Sequence, residues 1–330
     1  IEVTERPTGL FSLGGGYSST DSFIGIMDLS QRNFLGRGWE VFLRIRAGDI
    51  TQQGTIGFTE PWLFDRPLSA GFDLFNNRRV FTDYTVESLG GDLRVSHPFL
   101  EFWRGYLTYR LTRDDISDVS ASSSSALTEA EGTTVTSLIG TAIARDTRDT
   151  VFAPTKGGLL SLAADVAGLG GDNRFLKTIG SVSHFYPFFG DTILAGRLEA
   201  GYGFGFGGQE LPLFERFYLG GPNSIRSVKA RRISPVDETG TRIGGTSEVL
   251  FNLEHIVPLG FGLRFVTFLD VGNVYGFTKE FDPTDTREAA GVGLRWQSPF
   301  GPIRLDWGFN LDRQSGENAS QFHFSVGSPF

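Results

Sequence analysis

Apolar and polar residues alternate with period two along almost the whole chain. In 301–312, Ile303, Leu305, Trp307, Phe309 and Leu311 share one side, while Arg304, Asp306, Asn310 and Asp312 share the other. In 39–48, Trp39, Val41, Leu43, Ile45 and Ala47 oppose Glu40, Arg44 and Arg46. In 192–204, Leu194, Leu198, Ala200, Tyr202 and Phe204 oppose Arg197 and Glu199. Successive side chains of a strand point to opposite faces, so each segment has one apolar and one polar surface. The pattern predicts sixteen strands, at 9–17, 21–31, 39–49, 51–60, 67–77, 80–96, 103–114, 133–145, 157–168, 174–186, 191–204, 246–257, 261–272, 287–297, 302–312 and 319–330. Many reach about 10 residues or more, against about 5–6 for an ordinary strand, which suits a tilted bilayer crossing. Alternation alone also fits a soluble sandwich; strand number and length favour a closed antiparallel transmembrane barrel.

The connections carry a second regularity. Strands four, six, ten, twelve, fourteen and sixteen end in proline followed by an aromatic residue or leucine: Pro61-Trp62, Pro98-Phe99, Pro187-Phe188, Pro258-Leu259, Pro299-Phe300 and Pro329-Phe330. Proline cannot donate to a ladder and marks strand ends, and aromatics at one level form an interfacial girdle. Alternate turns therefore lie at one membrane face, with both termini. The long connections fall on the other face: the serine-rich, solvated 115–132, then 205–245, then the acidic 273–286. Short periplasmic turns and long external loops are the outer-membrane arrangement.

Composition agrees. Hydrophobic residues make up 39% of the 330, too few for helices in lipid, yet there are 44 glycines and 31 phenylalanines. No run nears the ~18 apolar residues of a spanning helix, and no stretch keeps helical i, i+3, i+4 spacing. The net charge of -8 argues against a nucleic-acid partner. The absence of cysteine removes disulfides and thiolate metal sites from this chain. Ile1 opens on the charged segment Glu2–Arg6 with no export signal ahead of it, so an exported protein is expected to be longer upstream.

Little points to catalysis. Gly203, Gly205 and Gly208 spell G-x-G-x-x-G, but QELPLF follows where a dinucleotide site needs a helix. His97, His184, His255 and His323 are scattered, and the acid pairs Asp114-Asp115 and Asp146 with Asp149 read as solvated turn residues. No nucleophile, base and oxyanion donor assemble. The expectation is no enzyme, no catalytic residue, no metal and no cofactor.

Segment 220–235, GGPNSIRSVKARRISP, resists a bland reading. It is basic through Arg226, Lys229, Arg231 and Arg232 in an acidic chain, and it carries Ile225, Val228 and Ile233. Long ordered loops are usually functional. It is either a cationic surface loop against lipopolysaccharide or a loop folded into the lumen, where parity places Glu254, Arg264, Asp270, Arg295, Arg304 and Asp306.

Here the chain resembles the BamA-type outer-membrane assembly factors and their relatives: TamA, two-partner-secretion transporters and the mitochondrial and plastid counterparts. The family's [V/I]-R-G-[F/Y] motif corresponds to Ile225-Arg226-Ser227-Val228, with serine for glycine and valine for the aromatic. ERFYLGG (215–221) is a close match, and FLDVG (268–272) is the family's F-x-D-x-G. DTRDTVFAPTKG (146–157), GGTSEVLFNLEH (244–255) and GVGLRWQSPFGP (291–302) are similar as well. QFHFSVGSPF resembles the C-terminal β-signal through Phe322, Phe324, Val326 and Phe330, and VTERPTG the link leaving the last POTRA domain.

The resemblance implies an all-β, sixteen-stranded barrel over 9–330 with its long loop after strand eleven (205–245) folded inward, and 1–8 as a linker from a periplasmic POTRA region. It implies that Arg226 pairs with Asp270, and Glu254 is a second acceptor by parity. It also implies folding and insertion of client β-barrel precursors into a bacterial outer membrane, without ATP, through a weak seam between first and last strands. Gly14, Gly15 and Gly16 weaken pairing on one side of that seam, and Pro329 removes a donor on the other. Expected partners are outer-membrane lipids, client precursors and periplasmic or lipoprotein accessory subunits. A TamA-like or two-partner-secretion transporter is the alternative; a passive porin would need an open lumen.

Overall fold

The structure, a computed structural model, describes residues 8–120, 125–277, 279–299 and 301–327. Sixteen antiparallel strands form one closed barrel in sequence order: β1 (Gly9–Ser18), β2 (Ser22–Phe34), β3 (Trp39–Gly48), β4 (Thr51–Glu60), β5 (Ser69–Val80), β6 (Thr85–Leu100), β7 (Trp103–Ser117), β8 (Gly132–Asp146), β9 (Gly157–Gly171), β10 (Phe175–Pro187), β11 (Ile193–Gly205), β12 (Ser247–Gly260), β13 (Leu263–Tyr275), β14 (Arg287–Ser298), β15 (Gly301–Asn310) and β16 (Ser320–Val326). Closure gives every strand a neighbour on both sides, the condition for strands to cross a bilayer. The alternation sorts as expected. Trp307, Phe309 and Leu311 are exposed on the outer surface, whereas Asp306 on the same stretch is fully buried.

The proline repeat needs correction. Pro61 follows β4 and Pro187 closes β10, but Pro98 and Pro258 lie inside β6 and β12. Each sits beside a one-residue register shift, Pro98/Leu100 and Pro258/Gly260. A bulge frees the position from donating, so the strand continues past proline for two more residues. Phe300, Pro329 and Phe330 lie outside the described residues.

The two ends also differ less simply than short against long. The long connections 118–131, 206–246 and 276–286 do share one end, which also carries tight hairpins at 49–50 and 172–174. At the opposite end 147–156 is extended, held by Asp149, which accepts hydrogen bonds from Thr155 Oγ1 (2.5 Å) and from the amides of Thr155 (2.9 Å) and Thr150 (3.0 Å).

The serine-rich connection is not simply solvated. A short helix, α1 (Ser125–Glu129), buries Leu127 completely against Tyr84, Val86, Ile116 and Leu213. Asp114 is likewise no turn residue. It is buried in β7, where Ser88 Oγ (2.6 Å) and Thr136 Oγ1 (3.3 Å) donate to it. In both places β7 runs on to Ser117, further than the apolar alternation indicated.

Candidate functional site: the luminal loop and the seam

Residues 206–246 leave β11 and return through the lumen to β12. The loop has its own apolar core: Phe217, Leu219, Ile225, Val228 and Ile233 pack with Leu250, Val274 and Ala289 of the barrel wall. That burial carries Arg226 inward.

The Arg226 guanidinium grips Asp270 on β13 with two parallel bonds, Nε to Oδ2 (2.8 Å) and Nη2 to Oδ1 (2.5 Å). Its backbone N–H adds a third to Oδ2 at 3.1 Å. Nη1 donates to Glu254 on β12 at 2.6 Å, and the guanidinium lies over the Phe268 ring, 3.5 Å from its centroid. Arginine's planar fork suits such bidentate and stacked contacts; lysine would not reproduce them. Arg226 is 2% exposed and Asp270 0%, so the energetics of a buried pair apply, not those of a surface one.

A network surrounds this pair. Asn252 Nδ2 donates to Asp270 (2.8 Å) and to Ser224 O (2.8 Å), fixing loop and carboxylate together. Glu254 also receives both terminal nitrogens of Arg295, at 2.8 and 2.6 Å. Arg304 on β15 donates to Asp306 (2.5 Å), Asn223 Oδ1 (2.8 Å) and Pro222 O (2.5 Å). Arg264 lines a cavity with Glu254, Arg295 and Arg304, in the inward row that parity assigned. Ser227 is buried and is not in the left-handed region, so serine fits where the family motif has glycine. Val228 joins the loop's apolar core in place of an aromatic.

Two glycines admit this packing. A side-chain carbon at Gly308 on β15 would collide with the backbone of Arg226 and Ser227, and one at Gly291 with the Phe268 ring. On the far side of the lumen Arg231 stacks on Tyr218 (3.5 Å) and Phe81 (4.3 Å) and donates to Tyr84 Oη at 3.1 Å. The loop thus bridges the lumen. Cavities of about 530 and 460 Å³ remain beside it.

At the seam, β1 and β16 are paired through Tyr17↔Val326 and Ser18↔Ser325, with Ser19 N donating to Phe324 O at 2.9 Å. Among the described residues Gly9–Gly16, which include Gly14, Gly15 and Gly16, have no partner on that side, while all of β1 pairs with β2. Phe322 is exposed on the outer face, and Phe324 packs near the Tyr17 ring, with 6.1 Å between centroids. Pro329 and Phe330, the other expected seam residues, lie outside the described residues.

Sequence reading missed Asn252, Gly308 and His323 as parts of the site, and it held Phe268 only as the first residue of the F-x-D-x-G motif, without a role. Parity contained part of the signal. Asn252 is two residues from Glu254, and His323 lies between outward Phe322 and Phe324, so both face inward.

The model of the Omp85 superfamily domain matches residues 33–330. The chain belongs to the Omp85 superfamily. It is 32% identical over 338 residues to the outer membrane protein assembly factor BamA of Nitratidesulfovibrio vulgaris, a match covering 100% of this chain and 43% of that relative. The crystal structure of BamA from Haemophilus ducreyi lacking POTRA domains 1–3 superposes with a TM-score of 0.88 at 22% identity, over 99% of this chain and 71% of that one. CdiB from Escherichia coli shares the fold at a TM-score of 0.65 and 16% identity, over 98% of this chain and 63% of that one. The chain spans about half the length of the curated BamA relatives it matches.

Proposed function

We propose that this Omp85 barrel is the membrane part of an outer-membrane protein assembly factor, folding and inserting client β-barrel precursors through its β1–β16 seam. The observation that carries the reading is the seam, where the described residues form two ladder pairs, Tyr17↔Val326 and Ser18↔Ser325, beside an apolar, glycine-bearing stretch of β1. Unpaired backbone N–H and C=O groups are costly in hydrocarbon, several kcal/mol each on the order of magnitude. A client strand that adds to such an edge satisfies them, and its alternate side chains reach lipid on one side. No nucleotide is needed, because the hydrogen bonds and burial of the client drive the step. The plugged lumen disfavours a passive porin, since the loop spans it from Asp270 to Tyr84. Similarity in name to BamA relatives, at up to 32% identity, favours assembly over secretion of a soluble polypeptide.

The same proposal takes residues 9–330 as the barrel and 1–8 as the link to a periplasmic region. It places the barrel in a bacterial outer membrane with both termini periplasmic, working with accessory subunits there. The test uses the full-length protein carrying Ser18→Cys and Ser325→Cys, directly opposite in the ladder, in a chain region that has no cysteine of its own. In vesicles, oxidation should reduce client insertion to the spontaneous rate and reduction should restore it. Full activity with a complete cross-link refutes the seam mechanism.

A further inference from the structure

Among the described residues β16 is the shortest strand of the barrel, and it is staggered against β1. The described pairing joins the end of β1, Tyr17 and Ser18, to the end of β16, Val326 and Ser325. Beyond Phe324 the β1 strand has run out, so Gln321, Phe322 and His323 pair only with β15. At that level a different group holds β16 from the lumen. His323, which is buried, places Nε2 3.1 Å from the carbonyl oxygen of Arg226. A carbonyl only accepts, so Nε2 carries the proton in this bond. Gly308, paired with Gln321 one strand away, gives the room that lets the Arg226 carbonyl come so near the wall.

We propose that the His323–Arg226 bond, seated at Gly308, makes the luminal loop a clasp on β16 that sets the register of the seam. The inference rests on the reading of the seam as the working edge. The loop itself is immobilised through Arg226 on Asp270 and Glu254, which belong to β12 and β13. Those strands are continuous with the rest of the barrel through full ladders. The clasp thus transmits the position of the rigid wall to the one strand that must part from β1. Arg226 has two jobs on opposite sides of its own backbone: its guanidinium fixes the loop, and its carbonyl fixes β16. His323 is a positioning residue in this scheme, and it touches no client.

The experiment reads the seam without any client, in the full-length protein in vesicles. With Ser18→Cys and Ser325→Cys as reporters, oxidation should cross-link nearly all the wild-type background. His323→Ala should lower the in-register yield several-fold, and His323→Gln, whose amide nitrogen reaches toward the same carbonyl, should recover most of it. Gly308→Val, which pushes the loop off the wall and leaves both seam strands unaltered, should lower the yield like His323→Ala. It also serves if His323→Ala does not fold, with folding judged by heat-modifiable mobility. Wild-type yield in folded Gly308→Val or His323→Ala overturns the clasp, as does failure of His323→Gln to recover a lost yield. Since no client is present, that failure is separate from failure of the assembly reading, which the insertion assay judges.

Discussion

Two walls of this barrel are built to different specifications. β6, β7, β8 and β9 are 15 or 16 residues long. Their ladders run nearly end to end, from Thr85↔Ser117 to Leu100↔Trp103 in the first of them. Across the lumen β1 has 10 residues and β16, among the described residues, has 7. At about 3.3 Å per residue these are strands of roughly 50 Å against 23–33 Å before tilt. The long wall projects beyond the hydrocarbon and is covered there by α1 and Leu213. The difference teaches that stability in this fold is distributed by hydrogen-bond count and by packing at the strand ends. In the proposed mechanism one region holds the barrel while the other parts.

The sharpest break of the comparison is to lock each wall in turn. Cysteines at Leu107 and Thr141, opposite each other on β7 and β8, can be cross-linked as a control for the pair at Ser18 and Ser325. The expected outcome is loss of client insertion with the seam locked and unchanged insertion with β7–β8 locked. Equal loss from both would mean that the whole barrel breathes, and the contrast between walls would have no functional meaning.

Next in size is the loop that joins the walls. Removing one partner of a buried ion pair costs roughly 3–5 kcal/mol, so Arg226→Ala should loosen the loop and expose 220–235 to protease. Asp270→Ala should do the same. Because they act as one unit, the double variant should be little worse than either single one. Strictly additive effects in limited proteolysis would show that the loop is held elsewhere, for instance at Arg231.

How far the sequence reveals this contrast depends on the residue. Alternation alone located all sixteen strands, because one face meets lipid and the other a polar lumen, and the motif resemblance joined Arg226 to Asp270. Parity also placed Glu254 in reach of Arg226, and the two are bonded. What was hidden is what alternation does not encode. Pro98 and Pro258 mark strand ends only where no bulge intervenes, and a bulge leaves no trace in hydropathy. Leu127 sits in a serine-rich run whose composition reads as solvent, although one leucine with a preformed cavity is enough to dock it. His323 shows in sequence only that it faces inward, between Phe322 and Phe324. Its role exists only because a loop about 97 positions away along the chain brings a carbonyl to it.

Leu127 provides a smaller test, confined to the long wall. Truncating a fully buried leucine removes its transfer energy and leaves a cavity, and a short helix can relax to recover part of that, so about 2–3 kcal/mol is expected. Leu127→Ala should lower the thermal midpoint of the barrel and speed amide exchange in 117–132, while leaving the Ser18–Ser325 cross-link yield unchanged. A change in that yield would mean that the two walls are mechanically coupled through the loop at Leu213 and Tyr84.

The least effect is expected from acid at the end of the long wall. Asp149, in the turn between β8 and β9, has its carboxyl drawn down to about 2 by the Thr155 hydroxyl and the Thr155 amide, with further help from the amides of Lys156 and Thr150. An unfolded aspartate titrates near 3.9. The folded value is the lower one, so this group adds stability that is complete above about pH 4 and is lost as the pH falls through about 2. The amide of Thr155 should therefore keep its chemical shift in nuclear magnetic resonance spectra of the solubilised barrel from neutrality to about pH 4, then move with a midpoint near 2. Asp149→Asn should abolish that transition while leaving the turn formed at neutral pH, because the amide oxygen still accepts. A midpoint near 4 in the unaltered chain would mean that the hydrogen bonds around Asp149 do not persist in solution. The turn would then be as loosely held as the seam, and the distinction between the two walls would stop at the strands themselves.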